Sequence, residues 1–154
     1  MGSGKSSIGR LIAKENGSYF LDTDAMIESA EGKSINEIFN EKGEAYFRSL
    51  EIQTVQWLKE NVNAAVMSTG GGMLASCEEL KGLGRIVYLK VSFETILKRM
   101  SSEELEKRPL FKNISKAKEL YEKRHAMYEE NADIILDANQ KLEEILTAYK
   151  KALL

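Results

Sequence analysis

The stretch GSGKSS, residues 2–7, contains the first side chains whose types and spacing could do chemistry. Glycines let backbone N–H groups turn toward phosphate oxygens, and the N-terminus of a following helix adds favourable partial charge. Lys5 would then reach the β- and γ-phosphates of a nucleotide, and the hydroxyl of Ser6 would bind Mg²⁺. A flexible tag is the alternative, but an apolar-periodic helix begins directly after this stretch, which favours a phosphate-binding loop.

Two acidic residues, Asp22 and Asp24, stand at the end of YFLD (19–22), a short apolar run that predicts a strand. Alternation along a strand would place both carboxylates on one face. Ligands gather beyond the carboxyl ends of strands in open α/β sheets, where two carboxylates suit Mg²⁺ support and proton acceptance from a hydroxyl. The alternative is that Asp24 only caps the next helix, and capping is compatible with catalysis.

Three consecutive glycines, Gly70, Gly71 and Gly72, follow a strand predicted at 65–69. Residues without side chains at a strand end permit a ligand to approach the backbone closely. A loose turn is the alternative. The position at the predicted carboxyl edge of a sheet favours the ligand site.

Arg124 falls on an inward stripe of the helix predicted at 115–130. The other members of this stripe are Ala117, Leu120, Tyr121 and Tyr128. An inward-facing guanidinium needs an anionic partner, which is either a structural Asp or Glu or a carboxylate or phosphate of a substrate. The spacing does not distinguish these partners. His125 lies off the stripe and is predicted to be solvent-exposed.

Two further arginines could bind anions. Arg48 follows Phe47 in the first turn of a predicted helix, and a surface salt bridge is the plain alternative. Arg108 lies in a polar, charged segment at 102–114 that contains the only proline of the chain. In a phosphate-handling protein such a loop can close as a lid and stabilise transferred charge, and an ordinary solvated loop is the alternative.

The elements that position these residues alternate between helices and strands. Strands are predicted at 19–22, 65–69, 85–90 and 133–137, and helices at 24–30, 34–41, 43–60, 76–82, 93–101, 115–130 and from 142 onward. This alternation predicts an α/β fold with a parallel sheet that is covered on both faces. The series begins with a helix, whereas a βαβ unit begins with a strand, so an initial strand before Met1 is expected.

Length and composition exclude several classes of protein. The 154 residues predict one domain, spanning 1–154. A net charge of −2 without a long basic run argues against a dedicated nucleic-acid or membrane-surface binder, and no run approaches the roughly 18 apolar residues of a membrane span. One cysteine and one histidine argue against a metal centre of such ligands, and the lone cysteine fits a reducing cytoplasm. A monomer is the default expectation.

Taken in order, the motifs resemble those of the shikimate kinase family, a P-loop family with a nucleoside-monophosphate-kinase-like fold. The motifs run essentially from Met1 to the last helix, and they are MGSGKSSIGRLIA, FLDTDAMIE, SINEIF, GEAYFR, STGGG, KRPLF and KRHAMYEENADIILD. The resemblance implies a three-layer α/β sandwich with a five-stranded parallel sheet of order 2-3-1-4-5, with strand 1 absent from this chain. It also implies transfer of the γ-phosphoryl group of ATP to the 3-hydroxyl of shikimate, with Mg²⁺, a step toward chorismate and the aromatic amino acids.

On the nucleotide side, the resemblance implies a role for each matching residue. The ATP phosphate loop is matched by Gly2, Ser3, Gly4, Lys5, Ser6 and Ser7. Ser6 matches a Mg²⁺ ligand, Asp22 matches a carboxylate that helps to hold the metal through water, and Arg108 matches the lid arginine that reaches the phosphates. The loop at 138–141 falls where the family holds adenine.

On the substrate side, the resemblance implies that Asp24 binds the substrate hydroxyl and is the candidate base, so that Asp24, Lys5 and Arg108 form the catalytic set. Arg48 and Arg124 match the pair that grips the shikimate carboxylate. The remaining matches are the loop that contacts substrate hydroxyls and the aromatic pocket walls, namely Gly70, Gly71, Gly72, Phe39 and Phe47. Substrate-binding helices then cover about 24–60 and the lid about 102–114.

Two departures from the family pattern are visible. R-x-P-L-Y around the second arginine is here RHAMY, a local change that should leave Arg124 in place, and the chain starts at the internal methionine of GFMGSGKS. A sheet without its central strand is expected to fold poorly, so roughly ten further N-terminal residues are expected in the native protein. The alternatives are a truncated, weakly active or inactive nucleotide-binding fragment and another small-molecule P-loop kinase such as a gluconate kinase, since two arginines favour a carboxylate substrate without excluding gluconate.

Overall fold

The computed structural model describes residues 2–101, 103, 105 and 109–154. Its helices are α1 (Lys5–Glu15), α2 (Thr23–Glu31), α3 (Ile35–Asn61), α4 (Met73–Ser76), α5 (Phe93–Arg99), α6 (Ile114–Asn131) and α7 (Leu142–Ala152), with 3₁₀ turns at Glu78–Gly82 and Pro109–Lys112. Its strands are β1 (Tyr19–Asp22), β2 (Ala65–Ser68), β3 (Val87–Lys90) and β4 (Ile134–Asp137). The chain groups into two compact units, one of Gly9–Arg85 and one that joins the residues up to Ile8 with Ile86–Leu154.

In the unit of Gly9–Arg85, strands β1 and β2 form a parallel pair whose register places Asp22 opposite Ser68. Helix α1 leads into this pair, and the guanidinium carbon of Arg10 lies 5.2 Å from the centroid of the Phe20 ring. The paired strands therefore end side by side, and the residues that follow them leave the same edge of the sheet.

Helices α2 and α3 follow β1 and are delimited by their own caps. Helix α2 ends at Gly32, which takes the left-handed conformation. Helix α3 begins with a capping box, in which the Ser34 side chain accepts from the Glu37 N–H and the Glu37 side chain accepts from the Ser34 N–H. Gly43, with φ 80° and ψ 174°, interrupts α3, which confirms the boundary predicted between the helical segments at 34–41 and 43–60.

Two apolar clusters hold this unit together. The first joins α2 to both parts of α3 through Ile27, Ile38, Phe47 and Leu50. The second joins the later part of α3 to α4 and the following 3₁₀ turn through Val55, Met73, Cys77 and Leu80. After the Gly43 interruption, one face of α3 therefore packs into the core along its length. This packing fixes the rotation of the helix and so the directions of its other side chains.

In the other unit, β3 and β4 form a second parallel pair, from Val87 opposite Ile134 to Lys90 opposite Asp137. Helix α6 packs against β3 and the loop after it. The Tyr121 hydroxyl donates to the carbonyl oxygen of Val91 at 2.8 Å. This contact fixes the rotation of α6, and with it the direction of the side chains on its inner face.

The predicted alternation of helices and strands is confirmed, and the strand bounds differ from the predicted ones by at most two residues. The helix predicted at 76–82 is wrong, because extended backbone at Cys77 separates α4 from a 3₁₀ turn. The described residues form two separate two-stranded sheets, β1–β2 and β3–β4. These pairs are the neighbours 2-3 and 4-5 of the implied strand order.

Candidate active site

The glycine-rich stretch at the start of the chain forms a turn that leads directly into α1. Gly2 and Gly4 take positive φ values of 59° and 84°, and the Ile8 N–H donates to the Gly4 carbonyl at 3.0 Å. Ser6 and Ser7 then lie in the first turn of α1, where backbone N–H groups point beyond the helix end. This is the arrangement that binds phosphate groups at helix N-termini.

Asp22 and Asp24 occupy different elements. Asp22 ends β1, and its Oδ1 atom accepts hydrogen bonds from the N–H groups of Asp24 at 3.1 Å and Ala25 at 3.3 Å. Asp24 lies in the first turn of α2. The expectation that strand alternation places both carboxylates on one face is therefore wrong, as is the alternative that Asp24 caps the helix. Asp22 is the cap, and because its carboxylate accepts from helix N–H groups, the strand ends at Asp22 and the helix begins at Thr23.

The register of β1 and β2 brings Asp24 to the triple-glycine loop. The buried Thr23 hydroxyl donates to the Ser68 carbonyl at 3.3 Å, so the two strand ends are tied together. A Cβ atom on Gly70 would lie 2.8 Å from Asp24 Oδ1 and 3.1 Å from Glu51 Oε1. Two carboxylates thus lie against the backbone of Gly70, and only a residue without a side chain leaves them in place.

Arg48 is held between two carboxylates of its own helix. Its NH1 group donates to Glu51 Oε2 at 2.7 Å, while Nε and NH2 donate to Glu44 Oε1 at 3.3 and 2.9 Å. Burial disfavours the charge of Arg48, but the hydrogen bonds to Glu51 and Glu44 outweigh it and raise the pKa of Arg48 above its ordinary value. The plain alternative of a surface salt bridge thus describes only the Glu44 side, since the Glu44 side chain is 66% exposed and that of Glu51 is 0% exposed.

Glu51 is the functional candidate that reasoning from the sequence missed. The Ser76 hydroxyl donates to its Oε2 atom at 2.9 Å, and its Oε1 atom has no hydrogen-bond partner among the described residues. A signal was available in the sequence, because Glu51 falls on the stripe of α3 that contains Phe47, Val55 and Leu58. An acid on an apolar stripe indicates a buried charge pair in the same way as the inward arginine of α6 does.

Gly72 lies directly against the guanidinium of Arg48. A Cβ atom on Gly72 would be 2.6 Å from both NH1 and NH2 and 2.8 Å from the carbon between them. The backbone at Gly72 has an ordinary conformation, with φ −103° and ψ −11°. The glycine is therefore required by close approach and not by backbone strain. The backbone of the triple-glycine loop thus contacts both a carboxylate, that of Asp24, and a guanidinium, that of Arg48.

The two predicted aromatic wall residues are adjacent, with ring centroids of Phe39 and Phe47 4.8 Å apart. Phe47 is buried in the first apolar cluster, and Phe39 is half-buried against it. The guanidinium carbon of Arg48 lies 5.5 Å from the centroid of Phe47. Phe47 therefore supports Arg48 from the core side, and Phe39 keeps more exposed ring surface.

Arg124 lies on the inner face of α6, as the stripe predicts. Ala117 on that face is fully buried, and the ring of Tyr128 lies 5.2 Å from that of Tyr88 on β3. Arg124 itself is half-buried, and its charge opposes the rise that burial causes in the pKa of Tyr128. Within the described part of the chain, Arg124 makes no ion pair with a carboxylate.

His125 departs from the prediction of a solvent-exposed side chain. It is half-buried, with Nδ1 2.7 Å from the Tyr88 hydroxyl and Nε2 3.3 Å from Glu129 Oε2. Glu129 also accepts from Lys90 Nζ at 2.6 Å. His125 is half-buried because this side of α6 lies close to β3, where Tyr88 contacts His125 and Lys90 contacts Glu129. This cluster fastens the helix that carries Arg124.

Two side chains form hydrogen bonds with the beginning of the loop that is expected to hold adenine. Asp137 Oδ1 accepts from the N–H of Asn139 at 2.9 Å and from its side-chain amide at 2.8 Å, and these bonds lower the pKa of Asp137. Arg99 donates to the Ala138 carbonyl at 2.7 Å. Arg108, the predicted lid arginine, and part of the predicted lid lie outside the described residues.

Comparison with known proteins gives one consistent result. A family model described as shikimate kinase matches residues 1–154. The shikimate kinase of Helicobacter hepaticus is 48% identical over 145 residues, which are 94% of this chain and 86% of that protein. The solved shikimate kinase of Aquifex aeolicus has a TM-score of 0.82 at 34% identity, covering 99% of this chain and 91% of that one. The shikimate kinase of Acinetobacter baumannii, solved in complex with shikimate, has a TM-score of 0.82 at 32% identity, covering 99% and 86%.

Proposed function

This chain belongs to the shikimate kinase family, and from that membership we propose that it transfers the γ-phosphoryl group of ATP to the 3-hydroxyl of shikimate. The products are shikimate 3-phosphate and ADP. The observation that carries the substrate assignment is the triple-glycine loop, which has Asp24 against Gly70 and the Arg48 guanidinium against Gly72. A substrate with a hydroxyl and a carboxylate finds a partner for each along this loop.

Asp24 is the group that we assign to the reacting hydroxyl. A carboxylate within hydrogen-bond reach of that hydroxyl orients its oxygen and accepts its proton as the new bond to phosphorus forms. Arg48 and Arg124 bind the substrate carboxylate through charge-assisted hydrogen bonds. Glycines 70–72 bring backbone N–H and C=O groups near the ring hydroxyls. The role of these residues is mainly positioning, which supplies much of the rate enhancement in phosphoryl transfer.

On the nucleotide side, the phosphates bind at the N-terminus of α1. The positive φ values of Gly2 and Gly4 and the start of the helix at Lys5 support this assignment. Lys5 contacts the β- and γ-phosphates, with the hydroxyl-bearing residues Ser3 and Ser7 in the same loop. Arg108, from the lid, would add positive charge to the transferred group.

Mg²⁺ fits the donor chemistry of two residues. Ser6 offers a hydroxyl, and Asp22 offers Oδ2, because its Oδ1 atom is engaged by the cap of α2. Oxygen donors of this kind suit Mg²⁺, which usually keeps several waters and takes further ligands from substrate phosphates. Within the described ranges no three Asp, Glu, His or Cys side chains gather around a possible metal position. When bound, the ion neutralises phosphate charge during transfer.

The setting of this activity is also part of the proposal. We propose that the kinase acts on a soluble metabolite in the cytoplasm, as a monomer and without nucleic-acid or membrane partners. The single cysteine agrees with a reducing cytoplasm, and the net charge of −2 agrees with the lack of nucleic-acid or membrane partners. Among the described helices, none has the length and apolar character needed to cross a membrane.

The direct test is release of ADP in a coupled assay with ATP and Mg²⁺. We expect ADP release that depends on shikimate and is absent without it, together with a product whose mass is that of shikimate 3-phosphate. Gluconate is the matched competitor, because it also carries a carboxylate and hydroxyls. ADP release with gluconate and none with shikimate would contradict the substrate assignment, and a folded protein inactive with both would support the fragment alternative.

Replacing Gly72 with alanine tests the contact between the glycine loop and Arg48. The added methyl group would have to displace NH1 and NH2 of Arg48, because its carbon would lie only 2.6 Å from both atoms. We expect the KM for shikimate to rise about tenfold, the effect of weakening one hydrogen bond to a charged group, with the KM for ATP unchanged. Gly82→Ala is the control, because its new Cβ would meet only Lys59 Nζ at 3.9 Å. Equal kinetics for the two variants would remove the proposed role of this contact.

A further inference from the structure

Ser76, the last residue of α4, connects the glycine loop to the charge pair on α3. Its Oγ atom lies 2.9 Å from Glu51 Oε2, and the same Oε2 atom accepts from Arg48 NH1 at 2.7 Å. This one carboxylate oxygen therefore accepts two hydrogen bonds, one from Arg48 on α3 and one from Ser76 on α4. Neither the motif that contains Arg48 nor the glycine motif includes this serine.

The hydroxyl proton of Ser76 has three possible acceptors. Besides Glu51, the carbonyl oxygens of Gly72 and Met73 both lie at 3.3 Å. A hydroxyl has a single proton, and a carboxylate at 2.9 Å is a stronger acceptor than a neutral carbonyl at 3.3 Å. The hydroxyl of Ser76 therefore donates to Glu51. Ser76 thus stabilises the ion pair of Glu51 with Arg48, and does not only bind carbonyl groups near the start of its own helix.

Glu51 depends on this donor because little else holds its carboxylate. The side chain is fully buried, and Oε1 has no hydrogen-bond partner within the part of the chain that the structure describes. Only Ser76 and Arg48 donate to it among these residues. Without Ser76, Arg48 would be the one remaining donor, and a buried carboxylate gains from turning to take further N–H groups of the same guanidinium.

We propose that Ser76 is a positioning residue for recognition of the substrate carboxylate. Its hydroxyl holds Glu51 on NH1 of Arg48, which leaves the Nε–NH2 edge of the guanidinium for the substrate. That edge is now closed by Glu44, whose side chain is 66% exposed. An exposed ion pair contributes little free energy, so a substrate carboxylate can replace Glu44 and bind this edge with two hydrogen bonds. The inference rests on the proposed role of Arg48 in binding shikimate.

The test compares Ser76→Ala and Ser76→Thr with the unsubstituted chain. In Ser76→Ala we expect the KM and the calorimetric Kd for shikimate to rise about tenfold, the effect of losing a hydrogen bond to a charged group. The kcat and the KM for ATP should stay within about twofold, because the serine acts before the chemical step. Ser76→Thr keeps the hydroxyl and should restore most of the affinity.

Two controls separate positioning from general damage. Ser49→Ala removes a hydroxyl on α3 that donates to the Tyr46 carbonyl at 2.6 Å and does not touch Glu51, and it should leave the Kd for shikimate unchanged. The methyl ester of shikimate lacks the carboxylate charge, so Ser76→Ala should weaken its binding little. An unchanged Kd for shikimate in Ser76→Ala, or an equal loss for the ester, overturns the inference. Failure of the unsubstituted chain to turn over shikimate would instead count against the proposed function.

Discussion

Arg48→Met is expected both to destabilise the protein and to weaken recognition of the substrate carboxylate strongly. The substitution leaves Glu51, whose side chain is 0% exposed, as a buried charge without its cationic partner, which costs about 3 kcal/mol in unfolding free energy. The exposed pair with Glu44 adds little to this figure. The kcat/KM for shikimate should fall at least about 100-fold, since hydrogen bonds to charged groups contribute about 1.5–3 kcal/mol each. Urea unfolding and the coupled ADP assay measure the two effects separately.

A double variant distinguishes the structural part of this effect from the functional part. Arg48→Met with Glu51→Gln removes the stranded charge while the glutamine side chain still accepts from Ser76. We expect the unfolding free energy to recover most of the loss, whereas kcat/KM for shikimate stays low. A double variant no more stable than Arg48→Met would show that the buried charge is not the cause. Recovered activity would show that Arg48 does not bind the substrate.

Asp24→Asn is expected to lower kcat about 10²–10⁴-fold, the range associated with loss of a positioned acid or base. The amide has the same shape as the carboxylate and still fits against Gly70, where the available space is narrow. It cannot accept a proton, so the hydroxyl is oriented but not activated. The KM for ATP should not change, because the nucleotide phosphates are assigned to the loop at the start of α1.

The control for Asp24→Asn lies on the same helix. Glu31→Gln also removes one negative charge from α2, but Glu31 faces Lys42 and Tyr46. We expect its kcat to match that of the unsubstituted enzyme. If both variants lose kcat equally, the effect of Asp24 is one of charge or stability. If Asp24→Asn keeps full kcat, then Asp24 only binds the substrate hydroxyl and the assignment as base fails.

The sequence by itself determined the order of the elements, and it predicted where ligands would bind. Apolar runs and helical stripes are local signals, and the apolar runs located the four strands of the described residues within two residues of their bounds. The sequence predicted a phosphate-binding loop because glycines and a lysine in that spacing before an amphipathic helix are typical of one. Gly43 likewise divided α3 where the sequence predicts. The inward stripe of α6 could also be predicted from the sequence, because helical periodicity alone defines which residues share a face.

The tertiary structure decided which side chains share a partner. The acid on the apolar stripe of α3 indicates a buried partner for Arg48, but the hydrogen bond from Ser76 to that partner, Glu51, joins residues 25 positions apart in the chain. The depth of His125 depends on Tyr88, 37 positions away. Such contacts follow from packing of elements that are distant in sequence, and no periodicity encodes them. The cap of α2 shows the same limit at short range. Strand alternation predicts that Asp22 and Asp24 share one face of a strand, but Asp22 ends the strand and accepts hydrogen bonds from the N–H groups of Asp24 and Ala25, so Asp24 lies in the helix.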